Sequence, residues 1–498
     1  KNRNIRIRFR ATKAGSAAQD LGDISIDDLK IYEPNPVEME VLAFNKPQNG
    51  FCSYTNQEVV RIQVRNNGFS PILRIPVGFV VRQGTNPPVV FRDTINKTLN
   101  LGDTAFYNFV PKANLSAYAT YTLKVFVDAA NDNKVDNDTI GPRTIDHFAP
   151  LATFPHRLTF EGAGWNPGNG TALNPGTFGT TEWSSIPASN SGEYAFMVES
   201  GLTTTATTGP RFGFGRTGNY LYSEGSFGAN SPTALWQSTR CINLGGMPNA
   251  TLEFWYHMNG ADINSVGLQV VDVNSNVWTN VPNSALSVAP AQHTDATQDW
   301  KFFSVNLSAY NNKVVKLRLT TKKNNAGELA DIAFDNFTIY NRAANDVGVA
   351  LVSTPANSTA VQTPTVAPVL VLRNYGTSAA TNIPVSYVVR DLCTPANTAT
   401  YTATFAGPIP AGGTANFTLP VGPTYYSGDF QLKAWTTLVG DAYAFNDTAK
   451  RITAGTTEFN IPFGPINFEG CAGDQMGFFA QANGITVGPT NTAATSMQ

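Results

Sequence analysis

Residues 21–32 read LGDISIDDLKIY, and residues 329–340 read LADIAFDNFTIY. Asp23 and Asp331 stand 308 residues apart (331 − 23). The same offset links Arg65-Asn66 to Arg373-Asn374, Ile75-Pro76-Val77 to Ile383-Pro384-Val385, and Phe160-Glu161-Gly162 to Phe468-Glu469-Gly470. Asn137-Asp138-Thr139 recurs at Asn446-Asp447-Thr448, one residue further along. Chance matches would scatter in offset, so four blocks at one spacing and a fifth one residue away indicate an internal repeat. The unit is far longer than a solenoid turn, and each repeat is therefore expected to hold whole domains. Residues 1–34 match only the end of the segment 148–343, and residues 457–498 match only its beginning. The parent protein is expected to extend in both directions.

Composition agrees with short strands joined by tight turns: aromatics reach 11%, with 42 Gly and 31 Pro among 498 residues. Charged residues are 14% and the net charge is −2, which gives no electrostatic reason to expect nucleic acid or an anionic membrane as partner. No run of eighteen apolar residues is present, so no membrane insertion is expected. No signal peptide opens the chain, but the repeat places residue 1 inside a domain, so this does not argue for the cytosol. Cys52, Cys241, Cys393 and Cys471 lie far apart without a C-x-x-C pair, against a zinc or redox site. Domains of this size bury enough core without disulfides, and none is expected within the segment.

Two domain types alternate. The first covers 35–147 and 344–456. Its first copy has strand-like runs at 39–44, 59–65, 76–82, 105–110, 121–127 and 139–145, with polar/apolar alternation in VVRIQVR and YTLKVFV. Asn66-Asn67-Gly68 reads as a turn tolerant of positive φ. About seven short strands in roughly 110 residues suit an immunoglobulin-like sandwich. VRIQVRNNG followed by IPVGFVVR, with DAANDNKVDND near the end, resembles the CARDB class of bacterial Ig-like adhesion modules. The second type covers 148–343, with strand-like runs at 157–161, 193–198, 236–241, 251–258, 266–273, 301–307, 314–320 and 331–340. That count suits a two-sheet jelly roll. FEGAGW, TEW, SGEYAFMVES, LEFWYHMNG, DWKFFSVNLSAY and DIAFDNFTIY occur in order and resemble a MAM-type jelly roll and the related cleaved-adhesin domains of Bacteroidota surface proteins. The eukaryotic MAM pattern pairs a Cys shortly after FE with one near Cys241. Here Ala163 and Gly164 stand at that first position, so the resemblance leaves Cys241 unpaired and sends Cys471 to a partner beyond the chain.

The fold class expected is therefore all-β: tandem β-sandwiches, MAM-like jelly rolls alternating with immunoglobulin-like domains. The expected order is a jelly-roll end at 1–34, an Ig-like domain at 35–147, a complete jelly roll at 148–343, an Ig-like domain at 344–456 and a jelly-roll start at 457–498.

Several residues could carry chemistry. Glu161 and Asp335 come from the first and last strands of the jelly roll. Two carboxylates at a sheet edge, with backbone carbonyls, suit a structural Ca²⁺, and the family resemblance implies such a site, with Asp331 and Asn336 as helpers. A hydrogen-bonded Glu pinning the first strand is the plain alternative. Asn131, Asp132, Asp136 and Asp138 cluster in a hairpin without the sixth-position Gly of an EF-hand loop, and the second copy, LVGDAYAFND, keeps fewer acids. A solvated turn is the expectation there. Gly213–Gly218 fits G-x-G-x-x-G, but NYLYSEGSFG follows as strand and turn where a nucleotide fingerprint needs a helix. His147, His156, His257 and His293 show no metal-ligand spacing. Six of seven Trp lie in the jelly roll, at 165, 183, 236, 255, 278 and 300, and are expected in its core rather than on a sugar platform. Asp-Thr-aliphatic triplets at Thr94, Thr104, Thr139 and Thr448 resemble the O-glycosylation motif of exported Bacteroidota proteins.

The expected role is a non-enzymatic, repetitive segment of a long extracellular adhesin or cell-surface filament, built as beads on a string. Pro-containing linkers such as Glu33-Pro34-Asn35-Pro36 would limit bending. Its partners would be an extracellular surface, a glycan or like chains in a fibre, for attachment, gliding or capture, with export by the type IX route implied by the resemblance. The alternatives are carbohydrate-binding modules or an accessory region of a giant secreted enzyme.

Overall fold

The computed structural model describes residues 6–10, 25–27, 35–168, 176–179, 182–189, 191–203, 205, 207–216, 218–228, 232–272, 277–286, 293–296, 298–324, 327–355, 361–362, 367–392, 398–420 and 428–456. The expected jelly-roll pieces 1–34 and 457–498 lie almost wholly outside these residues, as do Cys393 and Cys471. The chain is all-β, a series of β-sandwiches; the described residues contain two short 3-10 turns and no α-helix. None of their helices is long and apolar enough to cross a membrane. Two compact units divide at His147, with Gly50–Ser53 belonging to the second.

The first unit is a sandwich of three and four strands. One sheet runs Met39–Lys46, Arg61–Asn66, Thr104–Asn108, and the other Val89–Ile95, Ile75–Gln83, Ala119–Val127, Thr139–His147. The strand Val89–Ile95 was not among the runs expected from sequence. Strict alternation in Arg61–Asn66 sends Ile62 and Val64 inward, where both are fully buried. The Asn-x-Gly segment is not the positive-φ turn expected from its sequence: neither Asn66 nor Gly68 takes a positive φ. Asn66 is buried, donates from Nδ2 to the carbonyls of Ser70 (3.0 Å) and Leu99 (2.8 Å), and accepts at Oδ1 from the Gly68 N–H (2.8 Å). A Cβ on Gly68 would collide with the backbone of Pro36 and Glu38, so close approach is what requires glycine.

The second unit repeats this sandwich after a jelly roll. Val347–Thr354, Val369–Asn374 and Thr414–Thr418 form one sheet; Val361–Gln362, Thr448–Thr456, Gly428–Thr436, Ile383–Asp391 and Thr398–Phe405 form the other. Asn374 makes the same three bonds, to Ser378 O, Ile409 O and from Gly376 N. Even the β-bulges recur, between Val41/Ala43 and between Val349/Leu351. The sequence repeat is thus a repeat of packing.

The jelly roll has two principal sheets. The first, called the open sheet below, runs Trp183–Ile186, Thr233–Ser238, Val314–Lys323, Ile263–Asp272, Thr279–Asn280. The second, the covered sheet, runs Phe196–Glu199, Tyr220–Ser223, Asp331–Asn341, Ala250–Asn259, Lys301–Asn306, with His156–Leu158 beside Asp331–Asn341. Between them lies a core containing Trp183, Trp236, Phe254, Leu319, Phe334 and Phe337. Trp183 and Trp236 stack at 4.2 Å between ring centroids.

Candidate functional site

Four strands of the covered sheet, Phe196–Glu199, Tyr220–Ser223, Asp331–Asn341 and Ala250–Asn259, are buried on both faces. Every residue of Ala250–Asn259 is buried. Leu252, Phe254, Tyr256 and Met258 enter the core between the sheets. Trp255 points the other way, into a second cluster with Met197, Tyr220, Tyr222, Trp300, Ala333 and Ala350. Ala350 belongs to the following Ig-like sandwich, and Val371 of that sandwich packs on the same cluster. The rest of this outer face is covered by the jelly roll's own loops: Trp300 Nε1 donates to Phe212 O (3.0 Å), and Phe214 stacks on Trp255 at 4.1 Å.

At its seam with the following sandwich the two modules interlock. Arg342 donates from Nε to Tyr375 O (2.5 Å) and from Nη2 to Gly376 O (2.9 Å). Tyr443 donates to Asn341 O (2.8 Å). Arg451, 3% exposed, pairs with Asp299 at 2.8 Å. Arg373 lies 3.9 Å from the ring centre of Phe302, and Arg157 4.7 Å from that of Phe445. Thr377 and Ser378 donate N–H bonds to Ala343 O and Ala344 O, so the connecting segment runs as a hydrogen-bonded part of the fold rather than as a free string. A cavity of about 80 Å³ remains there, lined by Arg157, Glu253, Trp255, Phe302, Tyr375 and Phe445 among others. Small-molecule sites take roughly 300–1,000 Å³, so this is a packing gap rather than a substrate pocket.

Glu161 and Asp335 are brought together, as their strand positions suggested. Asp335 is buried and accepts backbone N–H bonds at both oxygens, from Phe214 (2.9 Å) and Asn336 (2.6 Å). Glu161 Oε1 accepts from Asn219 N (2.6 Å) and rests against Gly218, where no side chain would fit. Burial holds the Asp335 carboxyl well above the usual range; Glu161 raises it further, while the two N–H donors and Arg157 oppose the rise. Asn336 takes a positive φ of 50° where two residues of its strand oppose one of Ala250–Asn259, a bulge that re-aims Asp335. Asp331, expected as a helper, stands apart. It accepts from Thr208 Oγ1 (2.7 Å) and Gly225 N (2.9 Å), and burial with Glu224 nearby pushes it up to about 8. Among the described residues no three His, Cys, Asp or Glu side chains gather into a metal cage. Both Asp335 oxygens and Glu161 Oε1 accept backbone N–H groups, so the two carboxylates clamp the segment after the first strand and the last strand to Phe214 and Asn219.

The expected absence of a disulfide is corrected. Cys52 and Cys241 are bonded, with Cα atoms 5.3 Å apart and 189 residues between them in sequence. The MAM comparison looked for a partner inside the jelly roll, whereas the partner comes from the long loop between Met39–Lys46 and Arg61–Asn66, a connection that spacing does not reveal.

Of the glycosylation candidates, Thr104, Thr139 and Thr448 are exposed and Thr94 is half-buried. Residues 220–223 after the glycine-rich stretch form a strand, and the stretch itself holds only the three-residue 3-10 turn Phe214–Arg216, not the α-helix a nucleotide fingerprint needs. Trp165, Trp183, Trp236, Trp255 and Trp300 are buried, as expected. Trp278 is not: it is half-buried and lies 4.2 Å from the Arg318 guanidinium on the outer face of the open sheet. A polar row crosses that face. Gln237, Arg318, Gln269 and Asn280 are cross-strand neighbours; Arg318 Nε donates to Gln269 Oε1 (2.7 Å) and Gln269 Nε2 to Asn280 Oδ1 (2.9 Å). Strand placement gave no signal for this, because Trp165, Trp183 and Trp300 also lie outside the expected strands and are buried.

No family model and no curated protein matches the sequence. Among solved structures the chain is similar to one described as carbohydrate-binding modules from the β-sandwich superfamily, at 14% identity and a TM-score of 0.21, covering 61% of this chain and 99% of that one. It is similar to a Bacteroides uniformis β-glucuronidase at 12% identity and a TM-score of 0.25, covering 46% of this chain and 27% of that one. It is also similar to the secreted serine protease VesC from Vibrio cholerae at 10% identity and a TM-score of 0.20, covering 60% and 50%. The chain thus spans about a quarter of the glucuronidase's length and half of the protease's.

Proposed function

We propose that this chain is a non-enzymatic, repetitive segment of a long extracellular adhesin or surface filament, acting as a stiff stalk that presents the same contact surface many times. The observation that carries this reading is the interlocked seam between jelly roll and following sandwich, made by Arg342, Arg373, Tyr443 and Arg451. A chain whose modules dock in this way and recur at 308 residues gains reach with little freedom to fold back, and repeated weak contacts add as avidity. The Cys52–Cys241 bond suits an oxidising, extracellular setting. Export by the type IX route of Bacteroidota, with O-glycans on exposed Thr104, Thr139 and Thr448, completes the reading. Force spectroscopy on the whole chain tests it. The jelly roll and the sandwich after it should give way in one cooperative event; two independent events at well-separated forces would contradict a stiff seam.

A second reading has an observation of its own: the open sheet as a glycan-contact face. Trp278 offers a ring, and Gln237, Arg318, Gln269 and Asn280 offer the planar donors and acceptors that sugar hydroxyls take. Binding to a glycan array that disappears in Trp278→Ala supports it; no binding, or binding unaltered by that change, removes it.

A further inference from the structure

The acidic turn expected to be merely solvated is a built cluster, and it is built twice. In the first unit Asp132 accepts N–H bonds from Met39 (2.6 Å) and Lys134 (3.0 Å), and Asn137 Nδ2 donates to Glu38 Oε1 (2.9 Å). In the second, Asp441 accepts from Val347 (2.8 Å) and Tyr443 (2.9 Å), and Asn446 Nδ2 donates to Asp346 Oδ1 (2.7 Å). Each residue stands 308 or 309 positions from its counterpart, so the third acid of each set, Asp138 and Asp447, corresponds as well. One acid of each set comes from outside the turn: Asp346, like Glu38, belongs to the segment just before the first strand.

What these clusters leave over is the same in both. Glu38 Oε2, Asn137 Oδ1 and Asp138 Oδ1 are buried without a partner, and so are Asp346 Oδ2, Asn446 Oδ1 and Asp447 Oδ1. Glu38 is 5% exposed and Asp346 fully buried. Buried acceptors are normally satisfied, and three orphaned oxygens on the same three positions of two separate sandwiches are not an accident of one loop. Asp132 and Asp441 hold the frame through their N–H bonds, while the free oxygens belong to two carboxylates and one amide. Among the described residues no three acids gather into a cage here, so an ion would need carbonyls and water to complete its shell. Burial is the main cause that pushes Asp138 up to about 6 and Asp447 up to about 7, and neighbouring acids add to it, with Asp132 and Asp441 first among them.

We propose that each Ig-like sandwich binds one hard divalent cation, of the Ca²⁺ type, at Glu38, Asn137 and Asp138 in the first copy and at Asp346, Asn446 and Asp447 in the second. Hard oxygen ligands with two negative charges, completed by carbonyls and water, are the donor set Ca²⁺ takes, and extracellular modules bind it at about 10⁻⁴–10⁻³ M. The ion would tie the end of each sandwich's last hairpin to the start of its first strand, beyond anything the stalk reading requires.

Equilibrium dialysis of the whole chain against CaCl₂ up to about 5 mM, after chelator treatment, tests this. Glu38→Gln should remove one bound ion, Asp346→Asn another, and the double variant both, while Glu161→Gln leaves the count unchanged. Asp138→Asn and Asp447→Asn ask the same question from half-buried positions and serve if the buried changes disturb folding, which circular dichroism in chelator reports. No bound calcium at these concentrations, or a stoichiometry indifferent to all four substitutions, overturns the proposal. Loss of an ion in Glu161→Gln alone would move the site to the clamp and equally overturn it.

Discussion

The two sheets of the jelly roll have the same kind of strands and opposite surroundings. In the open sheet, Thr233–Ser238 alternates between exposed or half-buried and buried positions, and Arg318, Gln269 and Thr320 face outward. In the covered sheet, Ala250–Asn259 and Phe196–Glu199 are buried at every residue. One sheet therefore has a single apolar face and the other has two. The difference teaches where the module continues: a strand buried on both sides needs a second layer, and here the layer is the sheet of the next sandwich together with the loops around Phe212 and Trp300.

The contrast can be broken by substitution. Trp255→Ala empties the seam side of the covered sheet and should cost about 3–5 kcal/mol, measured by denaturant unfolding. Gln269→Ala, at an outward position of the open sheet, should stay within about 0.5 kcal/mol. Equal costs would mean that the covering layer contributes nothing.

The open sheet is tied at its corner by Cys241, which follows Thr233–Ser238. Cys52→Ser should lower stability by roughly 2–4 kcal/mol in oxidising buffer and be without effect under reductant. Arg451→Ala tests the seam at its edge. Its guanidinium is buried but Asp299 is about one-third exposed, so solvent screens the pair and the loss should be about 1–2 kcal/mol, from the same unfolding curves.

The covered sheet also carries a pH signature in its buried histidines. His257 and His293 stack at 4.0 Å behind it, and His293 accepts the Met258 N–H at Nδ1 and faces Asp299 O at Nε2, a neutral tautomer. Burial lowers both, with His293 and Lys301 adding to it at His257 and Lys301 at His293, which falls to about 4. Their folded values lie below the unfolded 6.5, so the stability they contribute is present above pH 6.5 and lost as pH falls toward 4. His257→Phe should flatten that acid limb in melting experiments; an unaltered limb would assign it to other groups.

Much of this was legible beforehand. LEFWYHM, continuous and apolar, reads as a buried strand, and it is one. The 308-residue spacing predicted two like sandwiches, and the buried Asn66 and Asn374 with their glycines explain why those blocks repeat. Glu161 and Asp335 were expected to meet because first and last strands pair. Which donors would fill their oxygens was not legible, because the Phe214 and Asn219 N–H groups come from a loop without periodic pattern. Asp331 shares a strand with Asp335 but not a site, since the bulge at Asn336 and the surrounding loops give each its own neighbours.

The amino-acid sequence by itself determined the all-β class, most of the strands and their alternation, because those depend on side-chain period and local turn chemistry. The docking of the sandwich on the covered sheet, the Cys52–Cys241 bond and the twin clusters at Glu38 and Asp346 were decided only in three dimensions. Each joins residues far apart in sequence, and no local pattern encodes which distant side chain will arrive.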